Sequence, residues 1–231
     1  MSQKTERLRR QLIVGLMRHF HLQQVEKWLP PRLALALFNF FNSGLSIGLI
    51  AVIALISGEA FIFPSLGATA FILFYLPMAE AASPRNVFSA HLVGALAGWL
   101  SLWLFGLADM PSVLNGGMDW SYAFAAALSM ALTTSIMVLL RIAHPPAAAT
   151  TLVVSLGLMP QLSQLPILMS AVAVLLTQAF ILNRLAGIPY PLWSAKNHLA
   201  QSADTDLHLS HNRERRFVQP QVCQHTDDVA Q

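Results

Sequence analysis

Charged side chains are scarce in this chain. Asp, Glu, Lys and Arg together make up 11% of its residues, against about 25% in an average soluble domain. Cysteine is nearly absent as well, because Cys223 is the only one, and it lies in the polar C-terminal part. The low charge is untypical of a soluble protein, and a single cysteine excludes a disulfide within the chain.

Hydrophobic residues make up 55% of the chain and are concentrated in long runs without charge. A helix needs about 20 apolar residues to cross a bilayer core. Four uncharged runs reach that length: Leu33–Gly58, Val87–Ala108, Ser121–Leu140 and Leu162–Asn183. The sequence therefore predicts an all-α membrane protein that crosses the bilayer several times.

Two shorter apolar runs, Ala60–Leu76 and Pro145–Met159, either cross the membrane or enter it and return. If all six segments cross and the basic N-terminus is cytoplasmic, every Arg between the segments falls on the cytoplasmic side. Two re-entrant segments would instead move Arg85 and Arg141 outside, against the positive-inside rule. We therefore predict six crossings in the cell inner (plasma) membrane, with both termini cytoplasmic.

The two short runs share a motif. When Pro64 is aligned with Pro145, both copies read Pro-x-x-small-Ala-Thr. Three crossings per copy invert the second copy, which predicts a 3+3 inverted repeat with half-helices as segments two and five. Proline favours the first turn of a helix, and helix N-termini attract anions. Two alternatives stay open, a chance match between the runs and two ordinary helices with proline in the first turn.

The motifs supply the predicted anion-binding residues. His144 either donates to the anion and carries a proton, or caps the helix that follows it. Threonine hydroxyls either contact the anion or bond to their own backbone, and the small residues either allow close approach or serve helix packing. The predicted binding residues are Pro64, Ser65, Gly67, Ala68, Thr69, His144, Pro145, Pro146, Ala149 and Thr150.

A second predicted group lies at the cytoplasmic ends of the segments. Arg85, Asn86 and Arg141 form a basic vestibule that attracts anions, or the two arginines only determine topology. His91, early in the third segment, is either a second proton carrier or a structural residue that bonds Asn86 or Ser89. We favour the structural role for His91.

Several ordered segments resemble the HPP family of integral membrane proteins. They are Phe63–Ala70, Ser83–Val87, His91–Leu96, His144–Thr150, Asn183–Leu185 and Tyr190–Trp193. The resemblance implies a membrane protein of a family usually described as four-spanning, whose cyanobacterial and plastid members are linked to nitrite transport. The chain departs from the family at Ala148, where members usually have glycine.

The chain is thus divided into a basic amphipathic cytoplasmic segment (1–30), an HPP-type transmembrane domain (31–195) and a polar, disordered cytoplasmic tail (196–231). We expect a transporter or channel for a small monovalent anion, nitrite being implied by the resemblance. The alternatives are a non-transporting scaffold or regulator and an enzyme using His144, for which no accompanying catalytic set is visible. The expected partners are the lipid bilayer and the anion, and we expect no nucleic acid, metal or cofactor. Whether the chain forms a homo-oligomer stays open.

Overall fold

Helices form all the regular secondary structure in the part of the chain that the computed structural model describes, residues 29–59 and 61–194. Four of these helices are long and apolar enough to cross a membrane: α1 (Pro31–Ser57), α3 (Pro84–Leu104), α5 (Trp120–Leu140) and α7 (Leu165–Leu185). The prediction of an all-α membrane protein is confirmed. The predicted N-terminal amphipathic segment, up to residue 28, and the predicted disordered tail lie outside the described residues.

Two shorter apolar helices lie between the long ones, and we call them the half-helices. Helix α2 (Pro64–Tyr75) has 12 residues and α6 (Pro146–Ser155) has 10, so they are about 18 and 15 Å long. Helix α2 begins at the motif proline, Pro64. Helix α6 begins at Pro146, one residue after the motif proline Pro145, which is its N-cap. The six-crossing inverted repeat stays a prediction.

Short elements complete the connections. They are a helical turn, α4 (Val113–Gly116), and two 3₁₀ turns, Glu80–Ala82 and Leu162–Gln164.

Each half-helix packs between two long helices. Helix α2 contacts α1 and α7, whereas α6 contacts α5 and α3. The helices thus form two groups of three, one of α1, α2 and α7 and the other of α5, α6 and α3. The groups meet where α2 contacts α6 and where α3 contacts α7. This arrangement buries one side of the first turn of each half-helix, at Ser65, Leu66, Pro146 and Ala147, while Pro64 and Pro145 stay exposed.

The C-terminal end of α2 is held by amide side chains of its neighbours. Asn183 Nδ2 on α7 donates to the Leu73 carbonyl at 3.1 Å, and Asn39 Nδ2 on α1 donates to the Phe74 carbonyl at 3.4 Å. The last carbonyls of a helix have no partner within it, and in a bilayer no water supplies one. The two asparagines therefore satisfy a helix end that would otherwise be unpaired.

Glycines bring α3 and α6 into backbone contact. A Cβ atom added at Gly94 would lie 2.8 Å from the Ala147 carbonyl oxygen, and one at Gly98 would lie 2.8 Å from the Thr151 carbonyl oxygen. Such distances leave no room for a side chain. Gly94 and Gly98 form the small-xxx-small pattern of closely packed membrane helices, a sequence signal that our motif analysis had missed.

One end of the bundle is closed by contacts between loops. The Arg85 N–H donates to the Trp193 carbonyl at 2.8 Å, and Arg85 Nη2 donates to the Leu140 carbonyl at 3.4 Å. The Tyr190 hydroxyl donates to the Ala82 carbonyl, and burial raises the pKa of Tyr190, which keeps this donor protonated. The connections that follow α2, α5 and α7 are thereby joined at the same end.

Candidate functional site

A buried polar cluster lies where the half-helices meet. Residues four apart on a helix share a face, so α2 presents two hydroxyl groups to the interior. Helix α3 adds an imidazole, and the start and second turn of α6 add a second imidazole and a third hydroxyl. The cluster consists of Ser65, Thr69, His91, His144 and Thr150, none of which is more than 1% exposed.

Thr69 lies between the two histidines. Its Oγ1 is 3.0 Å from His91 Nε2 and 3.0 Å from His144 Nε2. The same hydroxyl is 2.8 Å from the Ser65 carbonyl of its own helix. Of the two alternatives for this threonine, the bond to its own backbone is observed, together with contacts to the two imidazoles. Contact with an anion stays a prediction.

His91 connects the two motifs. Its Nδ1 is 2.7 Å from Thr150 Oγ1, while its Nε2 contacts Thr69, and these threonines occupy the same position in the two motif copies. Thr150 in turn donates to Ser65 Oγ at 2.9 Å. The expected bonds from His91 to Asn86 or Ser89 are wrong, since the ring bonds to the threonines of α2 and α6. Local sequence carries no signal for these partners because the contacts are tertiary.

His144 is held by the connection after α2. Its Nδ1 lies 2.7 Å from the Ala81 carbonyl, so that nitrogen donates the hydrogen bond. No side chain caps the start of α6. The His144 side chain therefore does not cap α6, although its carbonyl accepts from the Ala147 N–H at 3.1 Å. The imidazole links the start of α6 to Thr69 of α2.

The other predicted binding residues lie outside this hydrogen-bonded cluster. Pro64, Gly67 and Ala68 are on the exposed side of α2, and a Cβ atom added at Gly67 would meet nothing within 4 Å. At the start of α6, Pro145 is exposed and Pro146 is buried. Ala149 is half-buried.

A cavity of about 520 Å³ lies beside His144. It is bounded by the end of α5 and the start of α6, and His144, Pro145 and Ala148 line it. The charged residues Glu80 and Arg141 also line it. One predicted vestibule arginine and one residue of the buried cluster therefore border the same cavity.

The other two predicted vestibule residues do not line this cavity. The Arg85 side chain bonds to the Leu140 carbonyl, next to Arg141. Asn86 is buried, its backbone N–H bonds to Ser83 Oγ, and its Nδ2 has no hydrogen-bond partner.

Acidic groups are absent from the long helices and half-helices that the structure describes. The carboxylates among those residues lie in connections: Glu59, Glu80, Asp109 and Asp119. Within the same part of the chain, no group of three or more His, Cys, Asp or Glu residues is placed to hold a metal ion. The buried polar surface of the described residues is thus made of hydroxyl, imidazole, amide and backbone groups.

Spanning helices around two half-helices and a buried polar cluster define an integral membrane protein. The chain belongs to the HPP transmembrane family, because the family described as "HPP, transmembrane region" matches residues 29–191. The chain is also similar to a transmembrane protein of Dictyostelium discoideum, with 28% identity over 137 residues. That alignment covers 56% of this chain and 44% of the relative, so the chain spans less than half the relative's length. No solved structure matches.

Proposed function

We propose that this chain is a transporter or channel for a small monovalent anion, and that nitrite is its substrate. The observation that carries the proposal is the meeting of the two half-helix beginnings inside the protein, where Ser65 and Thr150 share a hydrogen bond. Neither half-helix start has a side-chain cap. The N–H groups of Leu66, Ala147 and Ala148 already donate to backbone carbonyls at the helix starts, so the partial positive charge of the helix dipole is what favours an anion.

The distribution of charge supports an anion over a cation. Transport sites for cations in membranes commonly use buried carboxylates, and none lies within the described helices. Arg141 lines the cavity that reaches His144. Glu80 lines the same cavity, so its wall carries no net formal charge, and the argument against a cation rests on the helices without carboxylates. Nitrite is suggested by the resemblance to the cyanobacterial and plastid members of the family.

We also propose that the chain crosses the inner membrane six times as a 3+3 inverted repeat with cytoplasmic termini. The contacts of Arg85 with the carbonyls of Leu140 and Trp193 support this topology, because they gather three connections at one end. Packing supports the repeat. Helices α1, α2 and α7 correspond in order to α5, α6 and α3, and each half-helix packs between the other two members of its group.

The topology predicts the sidedness of chemical labelling. In a chain carrying Cys223→Ser, a cysteine placed at exposed Asn115 should react with an impermeant maleimide added outside intact cells. A cysteine placed at exposed Met78 should react only after the membrane is opened, and serves as the matched control. Labelling of the Asn115 position only after opening would contradict six crossings and favour re-entrant half-helices.

Nitrite flux into liposomes that contain the purified full-length chain tests the proposed function. We expect saturable nitrite uptake above that of protein-free liposomes, without uptake of potassium. Uptake equal to that of protein-free liposomes would overturn the proposal. A scaffold or regulator would give this result, and so would an enzyme using His144. The cluster around His144 contains hydroxyls and imidazoles but no carboxylate to complete a catalytic set. We propose neither a catalytic role nor a cofactor, metal or nucleic-acid partner.

A further inference from the structure

The hydrogen on one ring nitrogen of His144 is fixed by its partner. The Ala81 carbonyl can only accept a hydrogen bond, and it lies 2.7 Å from His144 Nδ1. That nitrogen therefore carries a hydrogen. In the neutral ring the other nitrogen, Nε2, is then a bare acceptor.

The same reasoning fixes His91. Thr150 donates its single hydroxyl hydrogen to Ser65 Oγ at 2.9 Å, so its oxygen accepts from His91 Nδ1 at 2.7 Å. The Nδ1 atom of His91 therefore carries a hydrogen as well. Its Nε2 is a second bare acceptor when the ring is neutral.

Thr69 cannot satisfy both rings. Its Oγ1 is 3.0 Å from each Nε2 atom and 2.8 Å from the Ser65 carbonyl oxygen, yet the hydroxyl has one hydrogen to donate. With both rings neutral, both Nε2 lone pairs face the Thr69 oxygen when its hydrogen goes to the Ser65 carbonyl, and one still does when the hydrogen turns to a ring. A buried acceptor without a donor is unfavourable, and more so in low dielectric.

One added proton resolves the conflict. A hydrogen on either Nε2 donates to Thr69 Oγ1, and the Thr69 hydroxyl turns from the Ser65 carbonyl to donate to the other Nε2. The Ser65 carbonyl keeps the backbone N–H four residues on in its own helix. A second proton would place two cations in rings whose centroids are 5.1 Å apart. Two like charges at such a short distance in a buried site repel each other strongly. The geometry therefore favours a single proton shared by the two rings.

No buried carboxylate among the described residues balances that charge. Glu80 and Arg141 line the cavity beside His144. The remaining charged or titratable side chains of the described residues lie at or beyond the ends of the long helices and half-helices: Arg32, Glu59, Tyr75, Arg85, Asp109, Asp119, Tyr122, Arg184 and Tyr190. A buried cation without a partner is costly. An anion bound beside His144 would supply the missing negative charge.

We propose that Thr69, His91 and His144 form one proton-binding site, and that transport is the one-to-one cotransport of a proton and a monovalent anion. This inference rests on the proposed function. Because the proton and the anion neutralise each other in the protein, each favours binding of the other. The loaded state carries no added charge, so a pH gradient drives the cycle and a membrane potential has little effect on it.

Nitrite uptake by liposomes containing the full-length chain tests the coupling. The inside is made alkaline, or a potassium diffusion potential is set with valinomycin, and the rate of protein-free liposomes is subtracted. We expect the pH gradient to drive nitrite accumulation and the potential to leave its rate unchanged. Uptake that follows the potential and ignores the pH gradient would overturn the cotransport while leaving anion transport intact.

Thr69 variants test the shared site. Thr69→Val removes the hydroxyl between the rings and should lower the stimulation by the pH gradient about tenfold or more. Thr69→Ser keeps the hydroxyl and should retain the coupling. Thr177→Val is the matched control, since that exposed hydroxyl bonds only to the Ala173 carbonyl of its own helix. Undiminished stimulation in Thr69→Val, once folding is verified, would overturn the site.

A measurement without transport separates the two proposals. Ring ¹⁵N spectra of the full-length chain in nanodiscs, assigned with His91→Gln and His144→Gln, report the hydrogens on both imidazoles. We expect the pair to take up one proton as a unit, and each single variant to abolish that shared step. Independent titration of the two rings, or none, would overturn the proton site whether or not nitrite is transported. A shared proton in a protein without nitrite flux would support the site and reject nitrite alone.

Discussion

Replacing His144 with aspartate is expected to reduce nitrite uptake to that of protein-free liposomes. The carboxylate would lie beside the cavity where we place the anion, and like charges repel at short distance in low dielectric. It would also face the Ala81 carbonyl, which now accepts from His144 Nδ1, so two acceptors would be opposed. Uptake at matched expression measures the effect.

His144→Gln is the matched comparison for this variant. Its amide retains both a donor for the Ala81 carbonyl and an acceptor for Thr69, but it does not titrate. We expect part of the flux to remain, with a flattened dependence on pH. Membrane insertion of both variants should persist, because an aspartate near the centre of a segment costs roughly 2.5–3.5 kcal/mol, which the other apolar segments outweigh. Wild-type flux and pH dependence in both variants would remove His144 from the site.

Gly98→Val is expected to disrupt the packing of α3 on α6. The new Cβ would lie 2.8 Å from the Thr151 carbonyl oxygen and 2.8 Å from Val154 Cβ, so the helices must separate. Overpacking typically costs about 1–3 kcal/mol, and a bulky residue against backbone belongs at the upper end of that range. The variant should lose flux and unfold at a lower temperature in detergent.

Gly48→Val is the control for this effect, since a Cβ at Gly48 on α1 would meet nothing within 4 Å. We expect its unfolding temperature to stay close to that of the wild type. Equal unfolding temperatures for the Gly48 and Gly98 variants would show that the close contact between α3 and α6 adds little to stability.

Local signals in the sequence were sufficient for the helices and for part of the site. Uncharged length located the four spanning helices, and proline located the starts of both half-helices, because a proline ring presets the backbone of a first turn. The uncharged run that predicts α3 begins only at Val87, whereas Ser83 and Pro84 form a local signal for an earlier helix start. Ser83 caps α3 and Pro84 opens it.

The partners within the site required the tertiary structure. The motif identified Thr69, His144 and Thr150, but nothing near His91 in sequence indicates that its ring joins both threonines. Likewise, the acceptor for His144 is the backbone carbonyl of Ala81, and a carbonyl has no sequence signature. At Gly67 no protein atom of the described residues lies within 4 Å of an added Cβ, so helix packing does not explain this glycine, and its contact with an anion stays a prediction.

The packing of each half-helix between distant helices has a consequence for biosynthesis. Helix α2 lies against α1, made just before it, and against α7, made last among the described helices. During synthesis α2 therefore lacks one of its two long neighbours until α7 enters the membrane. Until then the Leu73 carbonyl lacks its hydrogen bond from Asn183. Helix α3 likewise meets the Thr151 turn of α6 only after two further segments have been made. The first three segments therefore cannot reach their final packing alone. A ribosome that stalls before α7 is made would leave a nascent chain whose Leu73 carbonyl lacks its partner. Such a chain would be a substrate for membrane quality control.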